Sequence, residues 1–346
     1  MLYFSWEASM KEARLYQKLE DEKVQCNLCA HRCKIPPGKL GICGVRENRN
    51  GTLYTLVYGQ AISQAVDPVE KKPLFHFYPG TTAFSIATVG CNFRCQFCQN
   101  WEISQMPREE GRILGGKVPP EAVVNNAKRY GSRSIAYTYT EPTIFFEYAY
   151  DIAVLARQEG IANIYVTNGY MTPEMLEAFH PYLDAANVDL KAGKDEFYRK
   201  YCGARLQPVL DSLKKMKSMG IWVEVTTLII PGLNDSEEEL NFIADFIAKE
   251  LGPETPWHVS RFHPHYKMRD RPPTPVATLH KAREIGLKAG LRYVYEGNVP
   301  GSEGENTYCY NCGRLLIRRF GFSILEYRIT GGRCYQCGAP IDGVGL

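Results

Sequence analysis

Eleven of the twelve cysteines fall into three tight groups, and an intracellular chain so arranged folds around metal. The middle group constrains the fold most. Cys91, Cys95 and Cys98 stand at C-x3-C-x2-C spacing, directly after the strand-like run from Thr82 to Val89. Three thiolates are one short of the four that close a [4Fe–4S] cluster. The missing ligand leaves one iron open to substrate or cofactor, as a catalytic zinc keeps its fourth position open. A zinc site completed by a distant His or Cys is the alternative. The spacing, the preceding strand and aromatic Phe97 just before the last cysteine favour the cluster.

Composition narrows the class. At 346 residues, the chain has room for one large domain with smaller appendages. A 45% hydrophobic and 23% charged composition is that of a soluble globular protein. A net charge of +3 makes the whole molecule no polyanion binder. No run approaches the roughly 18 apolar residues of a membrane helix. No signal peptide is read at the start, so the expected location is cytoplasmic, where thiols stay reduced and serve metals. Lone Cys202 reads as a small apolar residue of the fold.

Three segments follow: residues 1–73, 74–300 and 301–346. In the first, charged Met10 to Lys23 reads as a surface helix. Cys26, Cys29, Cys33 and Cys43 then frame Pro36, Pro37, Gly38 and Gly41, turn formers that wrap a loop around an ion. The expectation is a closed structural zinc, with a second iron–sulfur cluster as the alternative. Gly51 to Val66 reads as short strands.

From Thr82 onward, short β-branched runs alternate with helical patterns. The strands expected are 84–89, 134–140, 163–167, 185–190, 222–229 and 258–262. Helices are expected at 120–130, 144–158, 173–179, 208–219 and 237–249. Repeated β-then-α units imply a parallel sheet with right-handed crossovers. The fold class expected is therefore α/β, a partial (β/α)6 barrel with a Cys-rich N-terminal region and a C-terminal zinc-ribbon-like module. Chemistry in such folds collects at the C-terminal strand ends. Glu141, Asn168, Asp189 with Lys191, Asn234 and His263 all stand there, each following a different strand.

At these residues the chain resembles the radical S-adenosylmethionine (SAM) enzymes, in particular the radical SAM member of the AmmeMemoRadiSam system, related to the pyruvate formate-lyase activating enzymes. The resemblance rests on residues 90–100, 137–143, 166–170, 188–191, 224–235, 256–264 and 295–299. It covers nearly everything from Cys26 onward. It implies that Cys91, Cys95 and Cys98 ligate a [4Fe–4S] cluster whose open iron chelates SAM. Reductive cleavage would then give methionine and a 5′-deoxyadenosyl radical. It further implies that Phe97 packs near the adenine and that Glu141 holds the SAM amino group. Thr138, Asn168, Asp189 and Lys191 would line the SAM and substrate site, with His263 toward the adenosyl end. Arg261 is either a substrate contact or a rim partner. Val166 stands where activating enzymes commonly carry an Asp for a monovalent cation, so that cation is not expected. Nor is the N-terminal cysteine group the double-cluster insert of some activating enzymes.

The last segment carries Cys309-x2-Cys312 and Cys334-x2-Cys337, each pair followed by Gly. This is a zinc-ribbon pattern, and so short a module needs a metal staple. Gly301 to Glu305 reads as a linker. The ribbon's arginines read as a solvated or docked face.

The functional expectation is a radical SAM oxidoreductase resembling a glycyl-radical-enzyme activase. It would draw electrons from a flavodoxin- or ferredoxin-type donor and act on a protein or small-molecule substrate. Radical modification of a small molecule or another protein residue is the first alternative. A zinc-ribbon nucleic-acid binder is the second, and the open-site cysteine loop speaks against it.

Overall fold

The computed structural model describes residues 10–346, which separate into two compact units. The first holds 10–66, Ala83–Arg94 and Cys98–Asp184; the second holds Asp67–Thr82, Cys95–Phe97 and Ala185–Leu346. Of the central-loop cysteines, Cys91 and Cys98 belong to the first unit and Cys95 to the second.

The first unit is built on three parallel strands: β1 (Thr82–Ala87, entering from the second unit at Thr82), β2 (Ser134–Tyr137) and β3 (Ala162–Thr167). Their register pairs Ser134 with both Ala83 and Ala162. All four β2 residues are buried, as a strand covered on both faces requires. Helices α1 (Pro120–Arg129) and α2 (Phe146–Gln158) make the crossovers, and α3 (Pro173–Phe179) follows β3. Pro120 and Pro173 each open a helix, where a missing N–H costs nothing. Thr172 caps α3 by accepting from Met175 N–H.

The expected helix over Met10 to Lys23 is not formed. Lys11–Glu12 and Tyr16–Lys18 are strands, paired with Tyr54–Thr55 and Val24–Cys26 respectively. Leu15, Asp21 and Glu22 adopt positive φ, which breaks any helix. Charge pattern suggested a helix; backbone pairing to neighbouring strands prevailed.

The second unit carries four more parallel strands: β4 (Ala185–Asp189), β5 (Trp222–Ile229), β6 (Trp257–Arg261) and β7 (Val294–Gly297). Helices α4 (Gln207–Ser218), α5 (Glu237–Phe246) and α6 (Val276–Lys288) connect them. Ser236 caps α5, and three glutamates fill its first turn, where the helix dipole favours them. Near the N-terminal ends of β5 and β6, buried Glu224 accepts from Phe75 N–H and His76 N–H and pairs with His258 at 2.7 Å.

The ribbon of residues 307–341 docks within this unit. Leu316, Ile317, Ile329 and Ile341 pack with Phe75, Tyr293 and Tyr295 in one apolar cluster. Buried Arg319 donates to Phe75 O and Thr307 Oγ1, its guanidinium 4.3 Å from the Phe75 ring centre. The segment read as a linker is tied down: Glu305 accepts from Gly301 and Gly321 N–H, and Ser302 donates to Glu296.

Candidate active site

In the first unit, the loop after β1 is shaped by backbone before any ligand arrives. Gly90 has φ +99°, and a Cβ there would stand 2.8 Å from Val45 Cγ1 and 3.2 Å from Cys43 O. Only glycine fits this approach. Cys91 Sγ accepts from Phe93 N–H at 3.3 Å, and Cys98 Sγ lies 3.3 Å from Ser104 Oγ. Arg108 binds Ile42 O and Cys91 O, both at 3.0 Å, and also Phe93 O and Gln105 Oε1. His31 donates from Nε2 to Asn92 O at 2.9 Å, and burial keeps its pKa down. The N-terminal cysteine region therefore grips the central loop directly.

Asn168 joins strand end to loop. Its Nδ2 donates to Asn92 Oδ1 at 2.7 Å and lies 4.0 Å from Cys91 Sγ. Glu141 is fully buried. Its Oε1 accepts from Thr143 N–H, Thr143 Oγ1 and Thr167 Oγ1, and its Oε2 accepts from Asn168 N–H at 2.8 Å. Burial raises its pKa and these hydrogen bonds oppose the rise. Most of its acceptor capacity is spent inside the chain, leaving one lone pair on Oε2. Thr138 is buried at the end of β2, beside Tyr139, which holds φ +64° while its carbonyl accepts from Asn100. A tyrosine in that region stores strain at a strand end.

In the second unit, Lys191 Nζ pairs with Asp189 at 2.9 Å and lies 5.8 Å from the Phe97 ring centre. Burial pulls the Lys191 pKa down, but Asp189 and the sulfurs of Cys95 and Cys202 more than offset it and hold the ammonium charged. The Cys202 thiol is hydrogen-bonded to Cys95 and, with burial, pushes the Cys95 thiol well up. Cys202 is buried, as read from sequence, but it also touches a proposed cluster ligand, which spacing did not reveal. Asn234 ties the ends of β4 and β5 by donating to Lys191 O and Leu228 O. Arg261 donates to Thr274 O and so serves the rim. His263 is exposed.

Does a cluster suit the central loop? Asn92 is buried, and its Nδ2 has no partner. A buried amide donor next to Cys91 is costly unless an acceptor arrives. Cluster sulfide and thiolate sulfur are acceptors of the required kind, so the residues fit the group.

The remaining cysteines separate into two geometries. In the ribbon, Cys309 and Cys337 sulfurs lie 3.7 Å apart, as do those of Cys312 and Cys334. A single ion with metal–sulfur bonds of about 2.3 Å sets tetrahedral sulfurs about 3.8 Å apart. Asn311 Nδ2, then Ala339 N–H, hold the Cys337 thiol down at about 6. Among the described residues, this is the one group with three or more ligand atoms mutually within 4.8 Å. Cys26, Cys29, Cys33 and Cys43 do not gather this way; they line one apolar cavity.

Comparison with known proteins finds a radical SAM domain and relatives among the activating enzymes. Residues 85–247 match the Radical SAM superfamily. Uncharacterized protein MJ0808 of Methanocaldococcus jannaschii is 52% identical over 335 residues, 96% of this chain and 99% of that one. The pyruvate formate-lyase-activating enzyme of Clostridium pasteurianum is 26% identical over 60% of this chain and 89% of its own length. Among solved structures, a radical SAM methyltransferase from Sphaerobacter thermophilus superposes with a TM-score of 0.51 at 16% identity, covering 89% of this chain and 81% of that one. That likeness supports the α/β fold. No helix among the described residues is long and apolar enough to cross a membrane.

Proposed function

We propose, from the premise that this chain belongs to the radical SAM superfamily, that it cleaves SAM reductively at a [4Fe–4S] cluster on Cys91, Cys95 and Cys98 and takes hydrogen from a substrate. The observation carrying this reading is the three-thiol loop, with the unpartnered Asn92 donor beside Cys91, inside the matched region. When bound, cluster and SAM supply the electron transfer and the adenosyl radical; the protein binds, orients and excludes water.

Asn92 and Asn168 fix the loop and offer donors to sulfur. Glu141 sets Thr167 and Asn168 in place, and its open Oε2 lone pair suits one ammonium donor, such as the amino group of SAM. Thr138 lines the same strand-end face, and Phe97 offers an apolar surface for the adenine. Asp189 and Lys191 give the second unit a charged pair for the cofactor carboxylate, ribose or substrate. His263, being exposed, is a substrate contact in this reading.

The homologous activating enzymes favour a protein glycine as the hydrogen source, with a small molecule as the rival substrate. The AmmeMemoRadiSam assignment rests on the motif run, while the clostridial activating enzyme is similar over 60% of this chain. The 3.7 Å sulfur spacing supports one tetrahedral ion at Cys309, Cys312, Cys334 and Cys337, which this reading takes as zinc. The electron donor is read as a flavodoxin or ferredoxin type.

The test is anaerobic reconstitution, dithionite reduction and assay of 5′-deoxyadenosine from SAM, with the Cys91/Cys95/Cys98→Ala variant as control. Cluster-dependent 5′-deoxyadenosine is expected. Iron loading without SAM cleavage, across several donors and candidate substrates, would overturn the reading.

A further inference from the structure

The four N-terminal cysteines occupy a site of another kind than the ribbon. Cys26 ends a short strand and Cys33 precedes its hairpin partner, which pairs Val24 with Ile35. Cys26 N–H donates to Cys33 O. Cys29 bridges to Met171 just after β3, and Cys43 lies in the turn closed by Gly44 N–H to Gly41 O. All four line one cavity, walled by Leu28, Ile35, Ile42 and Ile144.

Two facts bear on what fills it. The sulfurs are spread: no three lie mutually within 4.8 Å, and no sulfur–sulfur hydrogen bond joins any two of them, unlike the ribbon pairs at 3.7 Å. A lone tetrahedral ion needs every pair near 3.8 Å, and a two-iron cluster needs two such pairs, by the same roughly 2.3 Å bond length. A four-iron cube takes one thiolate per iron and leaves its ligands apart. Second, Arg46 lines this cavity, is 2% exposed, and keeps an Nε without a partner. Its other nitrogens are engaged by Glu147 at 2.8 and 2.9 Å and by Arg14 O. A buried cation with one idle N–H beside four thiols suits an anionic, sulfide-bearing occupant.

We propose that Cys26, Cys29, Cys33 and Cys43 hold a second [4Fe–4S] cluster, with Arg46 donating from Nε to it. This replaces the zinc expected there from spacing. The site abuts the central loop through His31 on Asn92 O and Cys43 O against Gly90. It stands whether or not the central loop cleaves SAM.

The test uses the full chain, reconstituted anaerobically with iron, sulfide and zinc all present. The Cys91/Cys95/Cys98→Ala variant is expected to keep about four iron and about four sulfide per chain, with one zinc in the ribbon. Two zinc and no iron in that variant would overturn the proposal. Should the variant not fold, the wild-type protein reduced with dithionite decides by electron paramagnetic resonance. Two cluster signals, of which SAM shifts one, are expected; a single signal shifted entirely by SAM would refute the second cluster.

Discussion

The ribbon at 309–337 and the cysteines at 26–43 each bring four thiols within one short stretch, yet their sulfurs are arranged for different occupants. In the ribbon, two C-x2-C turns face each other and close to 3.7 Å, with Gly313 and Gly338 at φ near +70° completing each turn. In the N-terminal region, a hairpin, a loop and a turn each contribute thiols to the wall of a cavity. The supports differ as well. Apolar packing and one buried arginine seat the ribbon, while a buried ion pair, Arg46–Glu147, anchors the other region to α2. Ligand count is set by sequence, but ligand spacing is set by the turns that carry the ligands.

The comparison breaks most visibly at the ribbon. Cys334→Ser is expected to release its ion and open the module, costing on the order of 5–10 kcal/mol. Metal analysis should show zinc lost with iron unchanged; a parallel loss of iron would mean the two regions are not independent. Arg46→Met strands the Glu147 carboxylate in the core and should destabilise the first unit by about 3–5 kcal/mol in denaturant unfolding. Arg46→Met with Glu147→Leu should recover most of that stability while still weakening iron retention. If the double variant keeps the iron as tightly as the wild type, the guanidinium has no role at the cavity.

A smaller effect comes from pH. Burial is the main cause that lowers the pKa of His76 to about 4. Its Nδ1 donates to Asp342 O and its Nε2 accepts from Tyr295, an arrangement suited to the neutral ring. The unfolded chain takes up this proton near pH 6.5 and the folded chain only near pH 4, so stability falls as pH drops through that window. The loss levels off below it, at up to about 3 kcal/mol. Thermal unfolding of the zinc-loaded protein between pH 7 and 4 reads it, and His76→Gln should flatten the slope. Smallest is Arg49→Ala: its bond to Glu47 is exposed, so a change under about 0.5 kcal/mol is expected.

Much of this was legible in the chain. The core strands are β-branched runs bounded by turn residues, and β5 falls where the pattern places it, at 222–229. The polar residues at strand ends were legible for the same reason, since strand direction fixes which end carries chemistry. What escaped was long-range. Arg108 looks like any surface arginine, yet it binds carbonyls of two cysteine loops at once. Asn92 sits in the motif, but its idle amide shows only when its burial is known. The strand at Lys11–Glu12 was hidden because its partners, Tyr54 and Thr55, lie some forty residues downstream.

The docking of the ribbon also dictates the order in which the protein can be finished. Phe75 is made early, but Arg319, which donates to its carbonyl and covers its ring, lies 244 residues later, and Asp342, whose carbonyl holds His76, lies 266 later. During synthesis that aromatic surface stays bare until Arg319 and Asp342 have emerged from the ribosome. The floor of the second unit is therefore completed only after the ribbon has emerged, and a long non-local closure of this kind is slow. A ribosome stalled short of residue 340 would hold a partly open protein, exposed to chaperones and proteases through Phe75, Tyr293 and Tyr295.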